Sequence, residues 1–189
     1  TALPLAGVGA LVTGGGGGLG SASALWLARD GSAVTILGRS KETLEKARNR
    51  IVDELGPSAQ INVFAGDALD SSDVEAAMAS AAGFGNGLGI VVATVGGGVI
   101  APLLARNADD LTEELQRNIV SAFLAIKYAV PHMVANGGGS IVCVSSDASK
   151  MSWPFMAGYT AAKAGLDAMV RTAADELATH KIRVNSVRP

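Results

Sequence analysis

What this chain has little of narrows the field first. It carries one cysteine, Cys143, so no internal disulfide can form. Its two histidines, His132 and His180, lie too far apart in sequence to set a metal-ligand spacing. Charge is scarce too: Asp, Glu, Lys and Arg make up 17% of the residues, below the roughly 25% of an average soluble protein, so most positions should be covered by packing. A net charge of −2 leaves neither the basic footprint of a nucleic-acid binder nor a cationic patch for an anionic membrane. Thr1 to Leu11 has no charged leader ahead of a long apolar run, so no secretion signal is expected. Gly83 to Ala105 is free of charge, but Gly85, Gly87, Gly89, Gly96 and Pro102 break it as a membrane helix. The expectation is a soluble, cytoplasmic chain with no metal, nucleic-acid or membrane partner.

What the chain does have is apolar bulk and glycine. Of its 189 residues, 49% are apolar, enough for one sizeable core and one domain spanning residues 1–189. Glycine accounts for 24 of the 189, about twice its usual share of roughly 7%. Short apolar runs recur along the sequence at Val8 to Val12, Ala33 to Leu37, Ile61 to Ala65, Leu88 to Thr94, Ser140 to Val144 and Ile182 to Val187. Most are continuously apolar, as strands buried on both faces should be. Between them apolar residues step by three or four. Leu44, Ala47, Ile51 and Leu55 make one stripe; Val74, Ala77, Met78 and Ala81 make a second. Leu111, Leu115, Ile119, Ala122, Ile126 and Val130 make a third, and Leu166, Val170, Ala173 and Leu177 a fourth. Strand and helix alternating in this way predict a doubly wound α/β (Rossmann) fold, a parallel sheet with helices on both faces. In such sheets a ligand sits beyond the carboxyl ends of the strands.

Directly after the first strand comes Thr13-Gly14-Gly15-Gly16-Gly17-Gly18-Leu19-Gly20, followed by a helical run. Glycines there allow a tight turn and let backbone approach a pyrophosphate resting on a helix N-terminus. Five glycines in a row are by themselves more often a flexible loop; between the first strand and the first helix of a βαβ unit the odds reverse. The second strand ends Leu37-Gly38-Arg39-Ser40-Lys41. It lacks the carboxylate that usually holds an unphosphorylated ribose. It offers instead a guanidinium suited to a 2′-phosphate. That favours NADP(H), with NAD(H) the other possibility.

Tyr159 and Lys163 are four apart on one helix face, and an ammonium near a phenol lowers a pKa that is ordinarily about 10. Such pairs are common on exposed helices, so the pair needs context. Ser145 and Ser146 close the fifth strand, Ser146 thirteen residues before Tyr159. Asn118 interrupts an apolar helical stripe. Strand-end serines often only cap a turn, and a mid-helix asparagine is often only solvated.

Together these residues resemble the short-chain dehydrogenase/reductase family, in the manner of an NADP(H)-preferring carbonyl or 3-oxoacyl reductase. The glycine motif TGxxxGxG matches at Thr13, Gly14, Gly18 and Gly20, and the family tetrad at Asn118, Ser146, Tyr159 and Lys163. The closing Asn185-Ser186-Val187-Arg188-Pro189 is similar to the segment that leads into the family's Pro-Gly turn. The resemblance implies that Tyr159 exchanges a proton with the substrate oxygen while hydride moves to or from the nicotinamide. It implies that Ser146 holds that oxygen, that Lys163 binds the nicotinamide ribose, and that Asn118 holds a water linking Lys163 to solvent. It places the cofactor on Gly14, Gly16, Gly17, Gly18, Leu19 and Gly20 of the loop. Arg39 and Ser40 follow after the second strand, then Asp67, the adenine-contacting aspartate, with Ala68. Ala93, Gly96, Tyr159 and Lys163 complete the set. The substrate would be a small-molecule carbonyl or alcohol, and keto-acyl thioesters, steroids, sugars and small ketones all suit similar frameworks.

Three departures from the family pattern stand out. Asn-Asn-Ala-Gly after the fourth strand is Ala93-Thr94-Val95-Gly96 here, so the first asparagine's side-chain contacts are lost and backbone contacts alone should carry over. The position before Gly18, often basic in NADP-preferring members, is Gly17. The resemblance also implies a continuation past Pro189 into a substrate-covering loop, helices and a seventh strand. Trp153, Pro154, Phe155 and Met156, with Gly96 to Leu104, are candidates for an apolar pocket wall or for plain packing under a loop. The alternative function is a non-catalytic dinucleotide sensor or scaffold on the same fold; a methyltransferase would leave Arg39 and the Tyr159–Lys163 pair without a purpose. A homo-oligomer, dimer or tetramer, is expected through the two long helices.

Overall fold

The computed structural model describes residues 3–189. Six strands form one parallel sheet: β1 (Gly9–Thr13), β2 (Ala33–Gly38), β3 (Ile61–Ala65), β4 (Leu88–Ala93), β5 (Gly139–Val144) and β6 (Ile182–Val187), in the order β3-β2-β1-β4-β5-β6. Each observed strand lies within one residue of its sequence-predicted bounds. The chain runs outward from β1 to the β3 edge, then returns to place β4 on the other side of β1. The crevice at the carboxyl ends of β1 and β4 is therefore the topological switch point, where this fold class binds ligands.

Helices α1 (Gly18–Arg29) and α2 (Lys41–Leu55) cover one face. Their apolar sides meet Val12, Val34 and Ile36 from the strands in a core with Ala24, Leu44 and Ile51. The other face carries α3 (Ser71–Phe84), α4 (Ala108–Leu115), α5 (Ser121–Ala135) and α6 (Ala157–Leu177). There Met78, Met133 and Leu166 pack on Leu11, Leu88, Ile141 and Ile182. Each such fully buried aliphatic side chain contributes roughly 1.5–3 kcal/mol of transfer free energy. The helices stop and start as their ends dictate: Ser40, Asp70 and Asn107 cap α2, α3 and α4 with side-chain oxygens.

Two elements depart from the periodicity. The long third stripe is not one regular helix: a π-helical turn, Gln116–Val120, joins α4 to α5. The combined run Ala108–Ala135 is long and apolar enough to cross a membrane by length and composition. Leu124, Ala125, Ala129 and Met133 within it are buried in the core of this domain. The sixth strand is not buried on both faces either. Ile182 and Val184 are buried while Arg183 and Asn185 are exposed, because among the described residues no helix covers that side of the β6 edge.

Candidate active site

The glycine loop between β1 and α1 is shaped by close approaches that only glycine permits. Gly14 takes φ +67°, and a Cβ there would lie 2.6 Å from the Thr94 hydroxyl oxygen. A Cβ on Gly20 would overlap the carbonyl oxygen of Gly14, so the first turn of α1 rests directly on the loop. Gly17, the N-cap of α1, supplies no side-chain acceptor. Among the described residues, the N–H groups of Gly18, Leu19 and Gly20 meet no acceptor. Free N–H groups at a helix N-terminus form an anion-binding end.

Those groups open onto a cleft of about 660 Å³ across the carboxyl ends of β1 to β4. Gly14, Gly17, Gly18, Leu19 and Gly20 line one wall, Gly38 and Arg39 the next, Gly66, Asp67, Ala68 and Leu69 a third, and Thr94, Val95, Gly96 and Arg117 the last. Arg39 is exposed and forms no ion pair among the described residues. Asp67 accepts the Leu69 N–H at 2.9 Å, while its own N–H donates to Asp73 at 2.8 Å. Gly16, Ser40 and Ala93 do not line the cleft: Gly16 packs on Thr43, Ser40 accepts the Thr43 N–H at 3.2 Å as the α2 cap, and Ala93 is buried in β4. Residues of this shape and polarity fit an extended dinucleotide, with donors for its phosphates and no side chain intruding at Gly18.

Within Ala93-Thr94-Val95-Gly96, the threonine side chain makes a bond inside the protein. The Thr94 hydroxyl donates to the carbonyl of Thr13 at 2.7 Å, a side-chain tie between the ends of β4 and β1. Just beyond it, Gly96 makes room for two functional groups. A Cβ there would meet Asn118 Oδ1 at 2.8 Å and Lys163 Nζ at 2.9 Å.

Asn118 and Lys163 are both buried, and each polar atom is accounted for. Asn118 Oδ1 accepts the Gly97 N–H at 3.0 Å, and its Nδ2 donates to the carbonyls of Gly97 and Glu114, both at 2.8 Å. Asn118 lies in the π turn, and its side chain both bonds back to the Glu114 carbonyl and reaches across to Gly97. The polar residue in an apolar stripe thus marks a break in the helix rather than solvation.

Lys163 Nζ donates to the Val144 carbonyl at 2.7 Å and stands 5.7 Å from the centre of the Tyr159 ring. Burial lowers its pKa to about 8 despite the opposing influence of Cys143 and Asp167. The same burial pushes the Cys143 thiol up to about 12, against the pull of Lys163.

Ser146 and Tyr159 meet across a second cavity of about 350 Å³, lined also by Gly97, Gly98, Asp147, Ala148, Trp153 and Met156. Trp153 and Met156 thus do wall a pocket; Phe155 faces a different cavity, and Pro154 lines neither. The Ser146 hydroxyl donates to Asp147 Oδ1 at 3.2 Å and accepts the Ala148 N–H at 3.2 Å, capping a short 3₁₀ turn. The structure therefore places Asn118, Lys163 and Tyr159 around the Gly96–Gly98 segment, with Ser146 facing Tyr159.

Three further residues escaped the sequence reading. Arg117 lines the cleft one residue before Asn118, paired with Glu113. Asp167, one turn beyond Lys163, is buried and accepts from Ser149 at 2.6 Å and from Arg188 at 2.8 and 2.9 Å, which ties α6 to the β6 end and to the 3₁₀ turn. Burial works against its ionisation, but the Ser149 hydroxyl and the Arg188 guanidinium hold its pKa down to about 2. Glu114, also buried, bonds the segment above Tyr159. Only Arg117 had a local signal, its adjacency to Asn118.

The chain as a whole has counterparts among known proteins. The short chain dehydrogenase family model matches residues 9–189. The chain belongs to that family. It is similar to the cyclohexanol dehydrogenase of Acinetobacter sp. (strain SE19), with 32% identity over 186 residues, covering 95% of this chain and 71% of that protein. The glucose 1-dehydrogenase of Gluconobacter oxydans (strain 621H) is 31% identical over 180 residues, covering 95% of this chain and 67% of its own. Among solved structures, NAD+-bound xylitol dehydrogenase superposes with a TM-score of 0.92 at 30% identity, over 98% of this chain and 71% of that one. Short-chain dehydrogenases are oxidoreductases that use NAD(P)(H), and these relatives act on small molecules.

Proposed function

We propose that this short-chain dehydrogenase interconverts a carbonyl and a secondary alcohol, with Tyr159 as the general acid/base and NADP(H) preferred over NAD(H). The observation that carries the reading is the buried Lys163 ammonium, held by Val144 and set one helical turn from Tyr159 beside the end of the cofactor cleft. A bound nicotinamide supplies or accepts the hydride; the chain's own groups handle the proton. In reduction the Tyr159 hydroxyl donates its proton to the substrate oxygen, and in oxidation the phenolate takes it back. The Lys163 ammonium stands 5.7 Å from the centre of the Tyr159 ring, held in place by the Val144 carbonyl. Ser146 turns its hydroxyl from Asp147 to the substrate oxygen, where charge develops. Asn118, fixed by three hydrogen bonds, anchors the loop beside Lys163, where it would hold the water that links Lys163 to solvent.

The N–H groups of Gly18 and Leu19 suit the pyrophosphate, Asp67 suits the adenine end, and unpaired Arg39 suits a 2′-phosphate. Arg117, paired with Glu113, places a second guanidinium in the same cleft. Half-exposed Phe123 on α5 supports a homodimer or tetramer through the long helices.

Fluorescence titration with NADPH and NADH, followed by a carbonyl screen of wild type and Tyr159→Phe, tests this reading. NADPH should bind at least tenfold tighter, and the variant should lose about 10²–10⁴-fold in kcat with cofactor affinity retained. Preference for NADH would refute the Arg39 argument alone. Undiminished turnover by Tyr159→Phe would refute the assignment of the acid/base.

A further inference from the structure

Between β4 and α4 the chain passes over the start of α6 as the strap Gly97-Gly98-Val99. Two side chains one helical turn apart hold alternate N–H groups of that strap: Asn118 Oδ1 takes Gly97 at 3.0 Å, and Glu114 Oε1 takes Val99 at 2.8 Å. Gly98, between them, lies on Tyr159. A Cβ on Gly98 would sit 2.6 Å from Tyr159 Cβ and 2.7 Å from Cγ. On its other side, the Glu114 carboxylate reaches α6 itself, because a Cβ on Gly158 would overlap Oε2. Glu114 therefore touches both the strap above Tyr159 and the residue immediately before it.

A carboxylate with only 3% of its surface exposed needs a reason to be there. Its charge is answered by Arg106, whose guanidinium lies 3.3 Å from Oε2 and also donates to the Val99 carbonyl at 3.4 Å. Arg106 is anchored in turn by Asp110 at 3.4 Å. An apolar residue at 114 would fill the same helix face but leave the Val99 N–H without its acceptor. Removing one partner of such a buried arrangement exposes the other to the full desolvation cost.

We propose that Glu114 is a positioning residue: its carboxylate clamps the Gly97–Val99 strap to the first turn of α6 and so sets the Tyr159 side chain relative to Asn118 and Lys163. The role in turnover rests on Tyr159 being the acid/base; the clamp does not. The test uses the full chain with Glu114→Ala, which deletes the acceptor, and Glu114→Gln, whose side-chain oxygen can still accept from Val99. Glu114→Asp, one methylene shorter, replaces the alanine variant should that one not fold.

Amide exchange at Val99 and the NMR resonances of the Tyr159 ring report the clamp without any substrate. In Glu114→Ala, Val99 exchange should rise at least tenfold, the Tyr159 ring signals should move, and cofactor affinity should stay within twofold. The kcat should fall at least tenfold, with a smaller change in KM, and Glu114→Gln should recover most of the protection and of the kcat. Unchanged Val99 exchange and Tyr159 signals would overturn the proposal whatever the activity. So would a loosened strap with kcat within twofold of wild type. If wild type turns over no carbonyl substrate, the catalytic reading fails, and the exchange and ring signals alone decide the clamp.

Discussion

Replacing Asp167 with asparagine tests the coupling between the far end of the sheet and the candidate site. The Asp167 carboxylate is 2% exposed, receives Ser149 at 2.6 Å and Arg188 at 2.8 Å, and titrates near 2 instead of its ordinary 3.8. Its folded-state pKa is depressed, so its stabilisation is complete above the unfolded value of 3.8 and is lost as pH falls through the folded value of about 2. The shift corresponds to about 2 kcal/mol at pH 7 and about 1 kcal/mol at pH 3, using roughly 1.4 kcal/mol per unit. Asn keeps the shape and one acceptor but not the charge. Urea unfolding of Asp167→Asn should therefore show a loss of about 2 kcal/mol at pH 7, a midpoint lower by roughly 1 M. The gap to wild type should narrow on acidification towards pH 3. A variant within 0.5 kcal/mol of wild type at pH 7, taking roughly 0.5 kcal/mol as the spread of neutral surface changes, would refute the reasoning. A gap that stays constant with pH would refute the charge as its cause.

Lys163 should show the opposite balance. Its pKa falls from 10.5 to about 8 on burial, so the folded state holds the proton less tightly than the unfolded one. Its penalty is complete below about pH 8 and fades as pH rises towards 10.5. Lys163→Met should abolish turnover in the carbonyl assay while raising stability at pH 7 by about 1–2 kcal/mol, net of the lost bond to Val144. Thermal melts that show the variant less stable at pH 7 would count against burial as the origin of the shift. Gly20→Ala drives a methyl into the Gly14 carbonyl oxygen, so calorimetric titration should find cofactor binding weakened by at least tenfold; wild-type affinity would mean the loop can give way.

Much of the architecture follows from local pattern. Apolar runs such as Val8 to Val12 and the stripe through Leu44, Ala47 and Ile51 report which faces must leave water, and their alternation is enough to specify a doubly wound sheet. The position of the glycine loop between β1 and α1, and the one-turn spacing of Tyr159 and Lys163, are properties of neighbouring residues. The sequence therefore carries them by itself. What it could not carry depends on groups meeting across the chain. Thr94 finds the Thr13 carbonyl 81 residues away, and Arg188 finds Asp167 across 21. Asn118, in the π turn, bonds Gly97 across 21 residues, a partner no helical period encodes. Burial of Lys163, and with it the lowered pKa, is decided only when the strands, α6 and the strap close around it, since desolvation belongs to the folded surroundings and not to the residue.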